Sequence, residues 1–501
     1  MAFALKDYQS RALESLGVFL ADSRGAHDVA SMRLAFDAAR KHALGEAAPK
    51  APYRAFSTEA PTTPVACIRI PTGGGKTLMA AHAIEIAGRL YVGRAAAPLA
   101  VWLVPTDAIR TQTLDALRTA GHSYREALTQ HWPDDRLIVL DINEAEQLRA
   151  EDFGRRAIIL VGTIQTLRVE KTQGREAYAY KEAFEPHFAN LPSRESFFEL
   201  VSEDDLKAQP YLGNGDLGRV KRSLVNLLAW HRPIVVVDEA HNARSGLSFE
   251  TLRRIRPACV IEWTATPAPD QNALYHVSAD VLKAEDMIKL PIVLSPHPSW
   301  RDAVRDAVLT REKLQVEAGS ESDYVRPIVL FQADAKDGEV PVDTLRGFLV
   351  DELHIEPRRI AVATGTQREL DGIDLLDEHC PIEFVITVEA LKEGWDCSFA
   401  YVFCTVQNVR SAKDMEQLLG RVLRMPYAKR RTAERLNRAY AHVCAPVTAQ
   451  VASQLADRLV SMGFEQMEAA RYIETEPGGL FDPSSESPAR SRTIESAFEV
   501  P

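Results

Sequence analysis

The sequence predicts an α/β protein built of two tandem, doubly wound parallel-sheet lobes, and three observations carry that prediction. Short apolar, β-branched runs alternate with helical patterns along most of the chain. The runs lack polar alternation, as suits strands covered on both faces. They also fall into two sets, and a length of 501 residues is too great for one hydrophobic core.

The first set comprises Val65-Ala-Cys-Ile-Arg-Ile, Leu99-Ala-Val-Trp-Leu-Val, Ala157-Ile-Ile-Leu-Val, Pro233-Ile-Val-Val-Val and Val260-Ile-Glu-Trp. The second comprises Pro327-Ile-Val-Leu-Phe, Arg359-Ile-Ala-Val-Ala, Ile382-Glu-Phe-Val-Ile and Ala400-Tyr-Val-Phe-Cys. They place a first lobe over 1–269, a connector with an amphipathic helix over 270–326, a second lobe over 327–445 and a tail over 446–501. From about 170 to 231 the strand rhythm breaks and aromatics mix with charges (Tyr178, Tyr180, Phe184, Phe188, Phe197, Phe198). This reads as an insertion with a small core of its own, in which the aromatics pack; stacking on bases is the second reading. The tail reads as a helix from about Thr448 to Met462, then a disordered stretch rich in Pro, Gly and Ser.

Composition narrows the function classes. No run of about 18 apolar residues is present to span a bilayer, and no charged start leads into an apolar stretch; no membrane partner and a cytoplasmic location are expected. The six cysteines are scattered with no C-x-x-C pair, so their spacing carries no zinc or disulfide signature, and Cys404 reads as a small buried thiol. A net charge of −11 argues against a protein that coats nucleic acid by bulk attraction. Any nucleic acid must be gripped locally, by neutral donors, backbone amides and selected arginines.

Two motifs carry chemistry. Ile68-Arg-Ile-Pro-Thr-Gly-Gly-Gly-Lys-Thr follows a strand and precedes a helix, the context a phosphate loop requires. Gly73, Gly74 and Gly75 let backbone N–H groups curl around phosphate oxygens. Lys76 can reach the β- and γ-phosphates of ATP, and the Thr77 hydroxyl can hold Mg²⁺. Ile70 stands where the strict eight-residue form of the motif has glycine, leaving the shorter P-T-G-x-G-K-T form. The second motif, Ile234-Val-Val-Val-Asp238-Glu239-Ala240-His241, is a buried strand ending in two carboxylates. Asp238 can bind Mg²⁺ and Glu239 can orient and deprotonate an attacking water.

Together these motifs resemble the superfamily 2 helicases of the DEAH-box group, which implies RecA-like lobes with ATP in the cleft between them. The resemblance extends to Thr264-Ala-Thr266-Pro, which with His241 would couple ATP state to nucleic-acid grip. It also covers the strand-end pairs Pro105-Thr106 and Gly162-Thr163, which would hold the phosphodiester backbone. Leu5-Lys-Asp-Tyr-Gln9 is similar to the motif in which a glutamine, here Gln9, reads adenine; a plain helix start is the other reading. Gln417-Leu-Leu-Gly420-Arg421-Val-Leu-Arg424 matches Q-x-x-G-R-x-x-R, whose arginines would reach the γ-phosphate, with Gln417 beside the nucleotide. Thr387-Val-Glu-Ala-Leu-Lys-Glu-Gly394-Trp-Asp396 resembles the motif that touches nucleic acid (Thr387) and ribose (Gly394, Asp396). Trp395 reads as packing ahead of base stacking. The wording of these last two motifs is similar to the ATPase part of the Res subunit of type III restriction enzymes.

The resemblance implies a DNA helicase or translocase acting on duplex DNA, with a methyltransferase (Mod) subunit and a nuclease domain or chain as partners. An RNA helicase or remodeller and a catalytically silent nucleic-acid-binding fragment are the alternatives. Neither Pro133-Asp134 nor Pro269-Asp270 has a Glu-x-Lys at nuclease spacing, so DNA cleavage is not expected from this chain alone.

Overall fold

The computed structural model describes residues 4–46, 51–167, 176–189, 191, 197–239, 246–364, 367, 369–370, 372–388, 397–406, 419–444, 448–475 and 492–493. The chain divides into two compact units, one of 1–70 with 75–276 and one of 71–74 with 277–501.

The first unit holds a seven-stranded parallel sheet in the order β3-β4-β2-β5-β6-β1-β7. Its strands are β1 (Val65–Arg69), β2 (Leu99–Val104), β3 (Leu137–Asp141), β4 (Ala157–Thr163), β5 (Ile234–Asp238), β6 (Cys259–Thr264) and β7 (Ala273–His276). Pro64, Pro98 and Pro233 stand immediately before β1, β2 and β5. A proline there donates nothing but still lends its carbonyl to the ladder, and Val260 N, Ile158 N and Ala258 N bond those three carbonyls at 2.9, 2.9 and 2.8 Å. Each strand thus starts where its β-branched run starts. The N-terminal helices Asp7–Ser23 and Val29–Leu44 pack on each other, with Phe19 edge-on to Phe36 at 5.7 Å.

The second unit holds an eight-stranded sheet in the order β10-β11-β9-β12-β13-β8-β14-β15. These are β8 (Ile292–His297), β9 (Ile328–Gln332), β10 (Ile360–Val362), β11 (Phe384–Thr387), β12 (Ala400–Thr405), β13 (Ala439–Cys444), β14 (Ile473–Thr475) and β15 (Arg492–Thr493). Among the described strands only the two-residue β15 runs antiparallel, against β14. Each unit is therefore a RecA-like α/β lobe, as the runs of apolar residues predict.

Three expectations need correction. Residues 270–326 do not form a separate connector: β7 lies beside β1, and β8 and the helix Trp300–Ala318 belong to the second lobe. β7 has only Leu274 and Tyr275 as buried apolar residues, and β8 is bracketed by Pro291 and Pro296, so neither shows as an apolar run. The buried Asn272 side chain fixes β7 by donating to Arg54 O (2.9 Å) and Val65 O (3.0 Å). The tail, in turn, contributes β14 to the second sheet after its helix Thr448–Ser461. Finally, the described aromatics of the insertion do not form a separate core: Tyr178, Phe184, Phe188 and Phe198 bury in one cluster with Val101, Leu160 and Val235 of the first sheet. The Tyr178 hydroxyl donates to Leu167 O at 2.8 Å.

At that seam the His231 ring stacks on Phe153, centroids 4.0 Å apart. Burial, then the charge of Arg94, pushes His231 down to about 4 from 6.5. The unfolded chain therefore binds the extra proton between those values, and stability falls as pH drops through the window. The contribution is at most about 3 kcal/mol, from about 1.4 kcal/mol per unit. Urea midpoints at pH 7 and pH 4.5 should differ less in His231→Phe than in the parent; an unchanged difference would remove His231 from the account.

Candidate functional site

The chemistry-bearing residues of the first lobe gather at the carboxyl ends of three neighbouring strands. β6 lies between β5 and β1, pairing Asp238 with Trp263 on one side and Thr264 with Arg69 on the other. Ile70 N donates to Thr264 O at 3.0 Å, extending that pairing to the start of the glycine loop. Ligands of open α/β sheets bind beyond this edge.

The glycine loop has the backbone the sequence predicts. Gly73 and Gly75 adopt φ of +91° and +76°, a region costly for residues with a Cβ. Gly75 caps the helix Lys76–Ala87 in a left-handed conformation. Gly74 N turns back to Pro71 O at 3.2 Å. The helix begins at Lys76 and Thr77, so its partial positive end faces the loop.

Three charged groups meet there. Lys76 Nζ lies 3.0 Å from Glu239 Oε1 and donates to Ile70 O at 3.4 Å. Glu239 has a φ of +48°, which turns it out of the strand direction, and its amide donates to Asp238 Oδ1 at 3.0 Å. Burial first, and the Glu239 carboxylate second, hold Asp238 above the usual carboxylate range, while Lys76 and the Glu239 amide pull the other way. A crowded carboxylate pair of this kind is relieved by a divalent cation. The site therefore fits Mg²⁺ on Asp238 and Thr77, with a polyphosphate on the loop and Lys76.

Other predicted residues have structural partners. Thr264 Oγ1 accepts from Thr266 N at 3.2 Å, tightening the turn after β6. Thr106, after Pro105, caps the helix Asp107–Arg118, its Oγ1 accepting from Ile109 N at 3.3 Å. Thr163 Oγ1 lies 3.0 Å from Thr166 Oγ1. Gln9 is buried in its helix start: Oε1 accepts from Lys6 N at 3.0 Å and Nε2 donates to the Tyr8 hydroxyl at 3.2 Å. The helix-start reading thus has a partner set of its own.

Gly162 has a packing reason. A Cβ there would stand 2.7 Å from Ile142 Cγ2, and overpacking of this kind costs about 1–3 kcal/mol. Gly162→Ala should lower the unfolding midpoint accordingly, and its cost together with Ile142→Ala should be less than the sum of the two. Additive costs would refute the contact.

In the second lobe Thr387 ends β11, buried, its carbonyl accepting from Ala333 N at 2.7 Å. Arg421 follows Leu419 and Gly420 in helical backbone. Arg424 bridges Ile288, flanked by bonds from Lys289 N to Leu423 O (2.7 Å) and Met425 N to Met287 O (3.0 Å). His241, Gly394, Trp395, Asp396 and Gln417 lie outside the described residues.

Sequence reasoning missed Lys289. It is fully buried, donates to Ser398 O (2.9 Å) and Ala400 O (2.7 Å), and lies over the Tyr401 ring at 3.9 Å. Its backbone holds the Arg424 segment while its side chain holds the start of β12, so it positions the arginine motif. The signal was a single lysine inside the apolar run Met287-Ile-Lys-Leu-Pro-Ile.

Residues 2–269 match the family model described as "Type III restriction enzyme, res subunit". No curated protein matches the sequence. Among solved structures, the chain is similar to the ATP-dependent type ISP restriction-modification enzyme LlaBIII bound to DNA. That match has a TM-score of 0.46 and 12% identity, and covers 94% of this chain. The chain spans 31% of that protein's length. It is also similar to S. cerevisiae Dbp5 bound to RNA and ADP BeF3, with a TM-score of 0.38, 13% identity and coverage of 83% and 86%.

Proposed function

We infer that this chain, which belongs to the Res-subunit family of type III restriction enzymes, is a helicase-type ATPase that translocates on or unwinds duplex DNA. The observation that carries the reading is the grouping of Lys76, Asp238 and Glu239 beside a left-handed glycine loop. They stand at the carboxyl ends of β1 and β5, the two strands that flank β6, where one ATP can meet them together.

In this reading the loop amides and Lys76 bind the β- and γ-phosphates. Lys76 exchanges its bond to Glu239 for phosphate oxygens, which frees the carboxylate to take a proton from water. Mg²⁺, when bound on Asp238 and Thr77, neutralises charge on the phosphates. Arg421 and Arg424 supply guanidinium groups to the γ-phosphate, as the resemblance of their motif implies. Pro105, Thr106, Gly162, Thr163 and Thr387 are the proposed backbone contacts to DNA, and Thr264, Thr266 and His241 the coupling residues. The DEAH type, the place in a restriction system and the Mod and nuclease partners belong to the same proposal.

Steady-state ATP hydrolysis without nucleic acid and with duplex DNA, single-stranded DNA or RNA tests it, with Lys76→Ala as the blank. Stimulation strongest with duplex DNA is expected. Stimulation by RNA alone would replace the DNA reading with RNA remodelling, and a rate equal to the blank throughout would overturn the ATPase reading.

A further inference from the structure

Within the second lobe, away from the arginine motif and outside every role assigned above, three side chains converge on one point. His297 ends β8, His442 lies on β13, and Asp306 belongs to the helix Trp300–Ala318. Asp306 is completely buried, and the two histidines are buried to within 6% and 1% exposure. His297 Nε2 and His442 Nδ1 stand 3.3 Å apart. Each lies 3.4 Å from the same oxygen, Asp306 Oδ2. All of the ligating atoms lie within 4.8 Å of one another.

The lengths distinguish two explanations. A carboxylate hydrogen-bonded to a charged imidazole closes to about 2.7–2.9 Å, and here neither contact does. The corners of a tetrahedron stand about 1.63 times as far from each other as from its centre. Ligands held about 2.0–2.1 Å from a tetrahedral Zn²⁺ are therefore about 3.3–3.4 Å apart. An octahedral ion at about the same distance would draw them to about 2.8–3.0 Å. The three observed edges have the tetrahedral length. Two imidazoles and a carboxylate are also a donor set suited to zinc.

The sheet geometry builds the site. His442 pairs in register with Cys404 of β12, and Cys444 with His297 of β8. Residues in register on parallel strands, and those two apart on one strand, share a face. His297, His442, Cys404 and Cys444 therefore stand on the same face of the sheet, beneath the helix that carries Asp306.

We propose that His297 Nε2, His442 Nδ1 and Asp306 Oδ2 form a structural zinc site that ties the helix Trp300–Ala318 to β8 and β13. The fourth position falls to a water. Burial of the whole cluster assigns it a structural role, since catalytic zinc keeps an open position. No ligand spacing shows along the chain because the three residues come from three separate elements.

The test is metal analysis of the full, untagged chain after passage through chelating buffer, by elemental mass spectrometry. About one zinc per folded chain is expected, and less than about a tenth in Asp306→Asn and His442→Ala. Should those variants fail to fold, chain grown in cobalt provides the second measurement: the visible bands of tetrahedral Co²⁺ are expected. A parent folded by circular dichroism and holding less than about a tenth of an equivalent of any first-row metal overturns the proposal. That outcome leaves the ATPase reading intact, because the measurement does not depend on turnover.

Discussion

Glu239→Gln is expected to bind ATP and fail to hydrolyse it. The glutamine keeps the shape of the side chain but cannot accept the proton of the attacking water, and loss of a positioned general base lowers kcat by about 10²–10⁴-fold. Binding should hold or tighten, because Lys76 loses the 3.0 Å ion pair that competes with phosphate for its ammonium group. Asp238 should also regain more ordinary acidity once the neighbouring carboxylate is gone. Equilibrium binding of a fluorescent ATP analogue beside steady-state turnover checks both halves. Turnover within about threefold of the parent would take the base role from Glu239.

Arg421→Ala should produce a loss of comparable size by a different route. An arginine that neutralises γ-phosphate charge in the transition state is worth about 10³-fold or more in kcat, with little change in KM. Arg421→Lys should recover only part of this, because an ammonium lacks the planar fork that grips two oxygens. A purely structural arginine would instead show a lowered melting temperature with kcat per folded molecule unchanged. Arg424 is the informative companion, since its main chain is clamped to Ile288. Its side chain can be removed without releasing that segment.

The residues that announce themselves in the sequence are those whose backbone or charge requirement is local. Gly73 and Gly75 need positive φ, Lys76 opens a helix, and Asp238 and Glu239 end a β-branched run; each was readable without knowing what lies across the fold. Residues whose work is done at long range were not. Asn272 reaches Arg54 and Val65, more than 200 positions away, and Lys289 reaches Ser398 and Ala400, more than 100 away. Strand pattern failed in the same way. β7 and β8 are short or broken by proline, and become strands only because β1 and β13 stand beside them. The insertion misled for the opposite reason: its aromatics signal burial but not which core they join.

The prolines that open β1, β2 and β5 set the first lobe's two rims apart. At the carboxyl rim the ends of β1, β2, β4, β5 and β6 and the loops after them carry residues implicated in chemistry, so an added group there would perturb function. The opposite rim carries Pro64, Pro98 and Pro233, and near it Gly154 is exposed just before β4, with nothing within 4 Å of where its Cβ would stand. That side is the handle of the lobe. A dye, a surface tether or a purification tag inserted at Gly154 would report on the working rim without entering it, provided the linker keeps the positive φ of that turn.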